Sequence, residues 1–141
     1  MARAVTGRGA RGCEDLRMLD LVITAMGLGR IALGLAPFVA AGPSSRLLGF
    51  PRAHDTATAR LMGRFFGVRD IGLGVLAFYA AKHPEVAPAI FLFQAAMDAG
   101  DLVALAIPLV KREGIDRAAL ASAMFAATGM IGWIILYLVA R

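Results

Sequence analysis

The chain has 141 residues, 59% of them hydrophobic, and a formal net charge of +5; soluble domains are usually nearer to about half apolar. One compact unit is the natural count at this length, and the single cysteine, Cys13, excludes an internal disulfide. A basic balance fits either nucleic acid or an anionic membrane surface, but basic residues flank apolar runs without forming a long tract, so we favour the membrane and expect no nucleic-acid partner.

Residues 1–18 are rich in arginine and glycine. We predict that they form a polar, basic and loosely ordered N-terminal segment. The apolar run that follows is too long for the core of a signal peptide, so we expect an uncleaved first span. Residues 19–141 are then one transmembrane domain.

Four apolar runs make up this domain, at about residues 19–41, 59–81, 86–110 and 117–139. At a rise of about 1.5 Å per residue, each is long enough to cross a hydrocarbon core of about 30 Å. Helices are expected because backbone groups in lipid must be satisfied within their own segment. Short connections make consecutive helices antiparallel. The sequence therefore predicts an all-α fold, a four-transmembrane-helix antiparallel bundle that is a multi-pass protein of the cell membrane.

The longest connection, residues 42–58, contains two prolines and two glycines. Its stretch SRLLGF, residues 45–50, is predicted to lie at the membrane interface as an amphipathic turn. Asp55 or Thr56 is expected to cap the second long helix. Lysine and arginine divide equally between the two ends of the bundle, so the positive-inside rule does not orient it. The basic N-terminal arm favours both termini in the cytoplasm.

One spacing, Gly-x-x-charged-x-x-x-Gly, occurs in both of the first two spans, and we call it the glycine frame. Its residues are Gly27, Arg30 and Gly34 in the first span and Gly67, Asp70 and Gly74 in the second. Spacings of three, four and seven place residues on one helix face, and small residues let helices approach closely in lipid. We predict that the two helices meet along this frame, which would bring Arg30 near Asp70. The predicted packing glycines are Gly27, Gly34, Gly63, Gly67 and Gly74.

Charged side chains also lie near the middle of the predicted spans. An unpaired Arg or Asp costs about 2.5–3.5 kcal/mol at the centre of a span, so we expect ion pairs inside the bundle. We predict that Arg69 pairs with Asp98 or Asp101, which share a face of the third span. Counting Arg64, which lies nearer the interface, three arginines balance three aspartates. The predicted ligand or ion-pair cluster is Arg30, Arg64, Arg69, Asp70, Gln94, Asp98 and Asp101.

Other polar and aromatic residues receive simpler interpretations. Gln94 is expected to form an interhelical hydrogen bond. In the fourth span, Gly129 is expected to belong to a packing notch, and Trp133 to be an apolar or interfacial anchor. No spacing of Cys or His indicates a metal site, and no cofactor is predicted.

The stretches GRIALGLAPF, RFFGVRDIGLGVLAF and QAAMDAGDLVALA together resemble a family of small, uncharacterised four-helix integral membrane proteins, a domain of unknown function. The most specific part is F-G-V-R-D-x-x-L-G, residues 66–74, followed by the Asp-x-x-Asp of the third span. The resemblance covers most of residues 20–140. It implies a membrane fold and transfers no activity or catalytic residue.

Three functions stay open on these grounds. The first is a non-enzymatic membrane protein whose cluster holds the bundle or binds a small polar or lipid-headgroup ligand. The second is a small proton-coupled transporter or channel subunit acting as an oligomer, since four spans enclose little volume. The third, a membrane enzyme that uses an Asp as general base on a lipid-soluble substrate, lacks any nucleophile or metal set in its support. The expected partners are the lipid bilayer and a homo-oligomer or larger membrane complex.

Overall fold

A computed structural model describes the backbone of residues 6–141 and the side chains of residues 17–141. Within these residues the chain is all-α, as predicted, with five α-helices and one short 3-10 helix between the second and the third. The α-helices are α1 (Thr6–Val39), α2 (Ala41–Leu47), α3 (Ala57–Lys82), α4 (Ala87–Lys111) and α5 (Asp116–Ala140), and the 3-10 helix is Arg52–His54.

The first helix begins further back than the sequence predicts. The backbone of residues 6–18 is helical and continuous with the rest of α1, where the sequence predicts a loosely ordered segment. The stretch combines good helix formers such as Ala, Arg, Glu and Leu with three glycines, which are poor ones. Extending an existing helix, however, costs less than nucleating a new one. Residues 1–5 of the predicted N-terminal segment lie outside the described residues.

Three helices are long and apolar enough to cross a membrane. They are Arg17–Val39 within α1, Ala87–Lys111 (α4) and Asp116–Ala140 (α5). With 26 residues α3 is also long enough to cross a membrane. Its charged side chains, however, make its composition too polar for it to count among these helices. The predicted count of four spans is therefore not confirmed by helix length and composition.

Two glycine contacts bring α1 and α3 together in an antiparallel register. A Cβ atom built on Gly34 would lie 2.5 Å from the carbonyl oxygen of Gly67. One built on Gly74 would lie 2.7 Å from the carbonyl oxygen of Gly27. Any side chain at these positions would force the backbones apart, so only glycine allows this approach.

The fifth predicted packing glycine does not take part in this close approach. A Cβ on Gly63 would have its nearest neighbours, on Ala41 and Pro37, at 3.8 and 3.9 Å, which is ordinary van der Waals contact. Gly63 lies one turn before Gly67 on the same face of α3, where α1 is about to end at Val39. The closest approach of the two backbones is therefore limited to the part of α3 between Gly67 and Gly74.

The second pair of helices is α4 and α5, which pack along most of their length, whereas contacts between the two pairs are fewer. An apolar core at the end where α3 turns into α4 includes Ile23 from α1, Ala77 from α3, Phe91 from α4 and Trp133 from α5. Polar side chains cross the boundary between the pairs nearer the middle of the helices.

The outer surface of the helices is strongly apolar. On α1, Leu21, Leu28 and Leu35 are all exposed and recur every seven residues, which places them on one outward face. Exposed leucine, valine, isoleucine and phenylalanine side chains also cover α3, α4 and α5. Soluble monomers rarely expose apolar patches of this extent, whereas a membrane would cover them.

The connection between α1 and α3 contains the short helix α2. Leu47, in its last turn, is 90% exposed. Of the two predicted caps for α3, Thr56 takes the position, and its hydroxyl oxygen accepts a hydrogen bond from the backbone N–H of Ala59 at 3.1 Å. Asp55 instead forms ion pairs with Arg46 and Arg60.

Replacement of Gly34 by alanine tests the glycine contact between α1 and α3. We expect Gly34→Ala to destabilise the protein by about 1–3 kcal/mol, the usual cost of overpacking, because its methyl group collides with the backbone of α3. The matched control is Gly72→Ala, since nothing lies within 4 Å of a Cβ at that position. Equal melting temperatures of the two variants in detergent would contradict the glycine contact.

Candidate functional site

The centre of the site is the guanidinium group of Arg30, on α1. Its Nη1 donates a hydrogen bond to Oδ1 of Asp70 on α3 at 3.1 Å, and its Nη2 donates to Oδ2 of Asp98 on α4 at 2.6 Å. The Arg30 side chain is 10% exposed, and each aspartate side chain 5%. One guanidinium therefore joins three helices away from solvent. The Arg30–Asp70 contact is the one that the glycine frame predicts.

A second arginine forms a more open pair between α3 and α4. Both terminal nitrogens of Arg69 donate to the carboxylate of Asp101, at 2.8 and 2.7 Å, which is the two-point geometry that suits a guanidinium best. Arg69 Nη2 also lies 3.6 Å from Asp70 Oδ1. The sequence left Asp98 and Asp101 open as partners of Arg69. Arg69 pairs with Asp101, whereas Asp98 pairs with Arg30. We call Arg30, Arg69, Asp70, Asp98 and Asp101 the Arg/Asp cluster.

Gln94 lies one helical turn before Asp98 on α4. Its Nε2 donates to the carbonyl oxygen of Leu73 on α3 at 2.7 Å, and the residue is fully buried. Its Oε1 has no hydrogen-bond partner among the described residues, nor do Nε of Arg30 and Nε of Arg69. The amide orientation follows from this contact, because only the nitrogen can donate to a carbonyl. The site therefore keeps one free acceptor and two free donors.

Two residues of α5 shape the site, and sequence reasoning missed both. A Cβ on Gly129 would lie 2.6 Å from Oδ2 of Asp98, so glycine leaves the space that this carboxylate occupies. Trp133 is 1% exposed, and its ring centroid lies 5.8 Å from Cζ of Arg30. It is a buried member of the apolar core beside the cluster, which agrees with the apolar and not the interfacial one of the two roles that the sequence left open. Their spacing of four residues places both on one helix face, which was the available signal.

Arg64 does not belong with the other predicted site residues. It is exposed and lines an open pocket at the opposite end of α3 from the apolar core. It precedes Asp70 by six residues, or about 9 Å at helical rise. The sequence counts Arg64 as a third arginine against three aspartates, but the structure does not bring it to the other charged residues. The Arg/Asp cluster has two guanidinium groups against three carboxyl groups.

These features define a class of protein: an all-helical chain with membrane-capable helices and a buried ionic cluster between two helix pairs. Residues 27–139 match the profile of a family described as a domain of unknown function (DUF4267). The chain belongs to this family, as the resemblance in the sequence implies. No curated protein and no solved structure matches the chain.

Proposed function

We propose that this is a four-span integral membrane protein whose Arg/Asp cluster holds its two helix pairs together inside the bilayer. The observation that carries the proposal is the contact of one buried guanidinium, that of Arg30, with carboxylates on both α3 and α4. Arginine stays ionised, so neither helix can move away without leaving a charge unpaired in an apolar environment.

The fourth span in this proposal is α3. Its central charges, Arg69 and Asp70, would cost about 5–7 kcal/mol together if they met lipid unpaired. Both contact groups on neighbouring helices instead. The exposed apolar side chains of α3, among them Phe65, Val68 and Val75, fit a lipid-facing surface. We place the protein in the cell membrane, with both termini in the cytoplasm.

Cysteine labelling tests whether α3 crosses the membrane. In a Cys13→Ser background, a cysteine is introduced in turn by Arg52→Cys, Glu85→Cys and Glu113→Cys. If α3 spans, positions 52 and 113 react with an impermeant maleimide from one side and position 85 from the other. Labelling of positions 52 and 113 from opposite sides would contradict the proposal that α3 is a fourth span.

A double-mutant cycle tests the structural role of the cluster. Arg69→Gln and Asp101→Asn should each lower the melting temperature in detergent, because each leaves its partner unpaired. The double variant should be less destabilised than the sum of the two single variants, with more than half of the lost melting temperature recovered. This corresponds to a coupling free energy of about 1–3 kcal/mol between the two side chains. Arg64→Gln is the matched control on the same helix and should change little. Simple additivity of the two single losses would contradict the structural role.

The excess carboxyl group favours a second candidate, a proton-coupled carrier working as an oligomer. Three carboxyl groups face two guanidinium groups, and α5 adds no ionisable side chain to the cluster. Among the described residues, no group of three or more His, Cys, Asp or Glu side chains is arranged to hold a metal ion. A proton is therefore the simplest cation that would make the cluster neutral.

Proton flux in liposomes tests this second candidate. We expect the protein to carry protons down a potassium-diffusion potential, reported by a trapped pH dye, and Asp98→Asn to abolish that flux while the protein stays folded. Asp116→Asn, at the exposed start of α5, is the control and should keep the flux. Wild-type flux no faster than that of empty liposomes would remove the candidate.

A further inference from the structure

A second polar site lies at the end of the molecule where α1 passes through α2 into α3. An open pocket of about 300 Å³ is lined there by Val39, Arg46, Asp55, Arg60 and Arg64, among others. We call it the arginine pocket. It has no residue in common with the Arg/Asp cluster.

The arginine pocket is built around Asp55. Arg60 donates from Nε to Oδ1 at 2.7 Å and from Nη2 to Oδ2 at 3.1 Å, and Arg46 Nη2 donates to Oδ2 at 3.2 Å. The hydrogen bond from Arg60, followed by that from Arg46, lowers the pKa of Asp55 to about 2. Asp55 is therefore ionised at neutral pH and fixes the positions of two guanidinium groups.

The charge in the pocket is not balanced. Asp55 supplies one negative charge against the three positive charges of Arg46, Arg60 and Arg64. Within residues 17–141, Arg64 has no carboxylate within ion-pairing distance. The pocket thus offers a free guanidinium beside two that are already oriented, and guanidinium groups match phosphate by paired hydrogen bonds.

The surroundings of the pocket are apolar and open to the outside. Val39, on its wall, is 70% exposed, and Leu47 on α2 is 90% exposed. Arg64 lies seven residues into α3, about 10 Å along the helix, a depth from which an arginine side chain can reach the headgroup region. A ligand here would meet positive charge at one end and apolar surface at the other.

We propose that the arginine pocket binds the phosphate group of an anionic membrane lipid, with its acyl chains along the exposed apolar surface of α1 and α3. Basic pockets between membrane-spanning helices bind anionic headgroups. With four spans and both termini in the cytoplasm, as proposed above, the arginine pocket faces the other side of the membrane, so its lipid would come from the outer leaflet. The inference rests on the membrane location proposed above and is independent of the role of the Arg/Asp cluster.

Native mass spectrometry of the full chain in detergent tests this site. The probes are phosphatidylglycerol, phosphatidylcholine and inorganic phosphate. We expect phosphatidylglycerol to bind more tightly than phosphatidylcholine, and Arg64→Gln to weaken its binding about tenfold, the loss expected for one hydrogen bond to a charged group. Arg64→Lys keeps the charge without the planar group and should bind with intermediate affinity.

The control is Lys111→Gln, which removes an exposed positive charge at the same end of the bundle and should leave binding unchanged. Arg64 is exposed, so its replacement does not threaten the fold. Equal binding by Arg64→Gln and Lys111→Gln, or equal binding of the two lipids, would overturn the site. Displacement of the lipid by inorganic phosphate at similar concentration would assign the pocket to soluble anions instead. Cysteine labelling reports on the membrane location separately, so loss of lipid selectivity with four spans intact would overturn this inference alone.

Discussion

The architecture proposed above depends on one guanidinium group that cannot lose its charge. Arg30 belongs to the α1–α3 pair, yet one of its two carboxylate partners, Asp98, belongs to the α4–α5 pair. Each pair packs closely within itself, but contacts between the pairs are sparse. Removing a buried arginine from its anions costs about 3–5 kcal/mol. In the proposed structural role, the cluster therefore provides an attraction between the pairs away from the apolar core that they share at one end.

Glycine is what lets short aspartate side chains reach this arginine. On one side, contacts of Gly34 with Gly67 and of Gly27 with Gly74 draw the α1 and α3 backbones together around Arg30 and Asp70. On the other side, Gly129 leaves room for the carboxylate of Asp98. Aspartate side chains are short, so they form direct ion pairs between helices only where the backbones lie close together. The positions of the glycines and of the charged residues are therefore linked.

The sequence could predict the contacts that depend on spacing within a helix. The glycine frame is such a pattern, and it led to the contact between Arg30 and Asp70. It could not choose between Asp98 and Asp101 for Arg69, because both lie on one face of α4 and the choice depends on how α4 is rotated against its neighbours. Spacing could have separated Arg64 from the cluster, because it lies six residues before Asp70 on the same helix, or about 9 Å at helical rise. The burial of Trp133 beside Arg30, by contrast, arises from packing between helices.

The same distinction bears on the proposal that α3 is a fourth span, although the composition of α3 alone does not identify it as one. When α3 is judged by its own composition, the whole free-energy cost of placing Arg69 and Asp70 in lipid is counted against it. Their ion-pair partners, however, lie on α4 and α1. In a bundle that cost is shared, so the polarity of a span is a property of the assembled helices. In the proposed four-span bundle, α3 would therefore depend on its neighbours for a stable position in lipid more than α4 or α5 does. Its two ends also differ, because its first half carries Arg60 and Arg64 toward the interface while its second half packs through Ala77 and Ala80 into the apolar core. This asymmetry would fix the depth of α3 in the membrane, and with it the height of the cluster that the α3 carboxylate and guanidinium groups help to form.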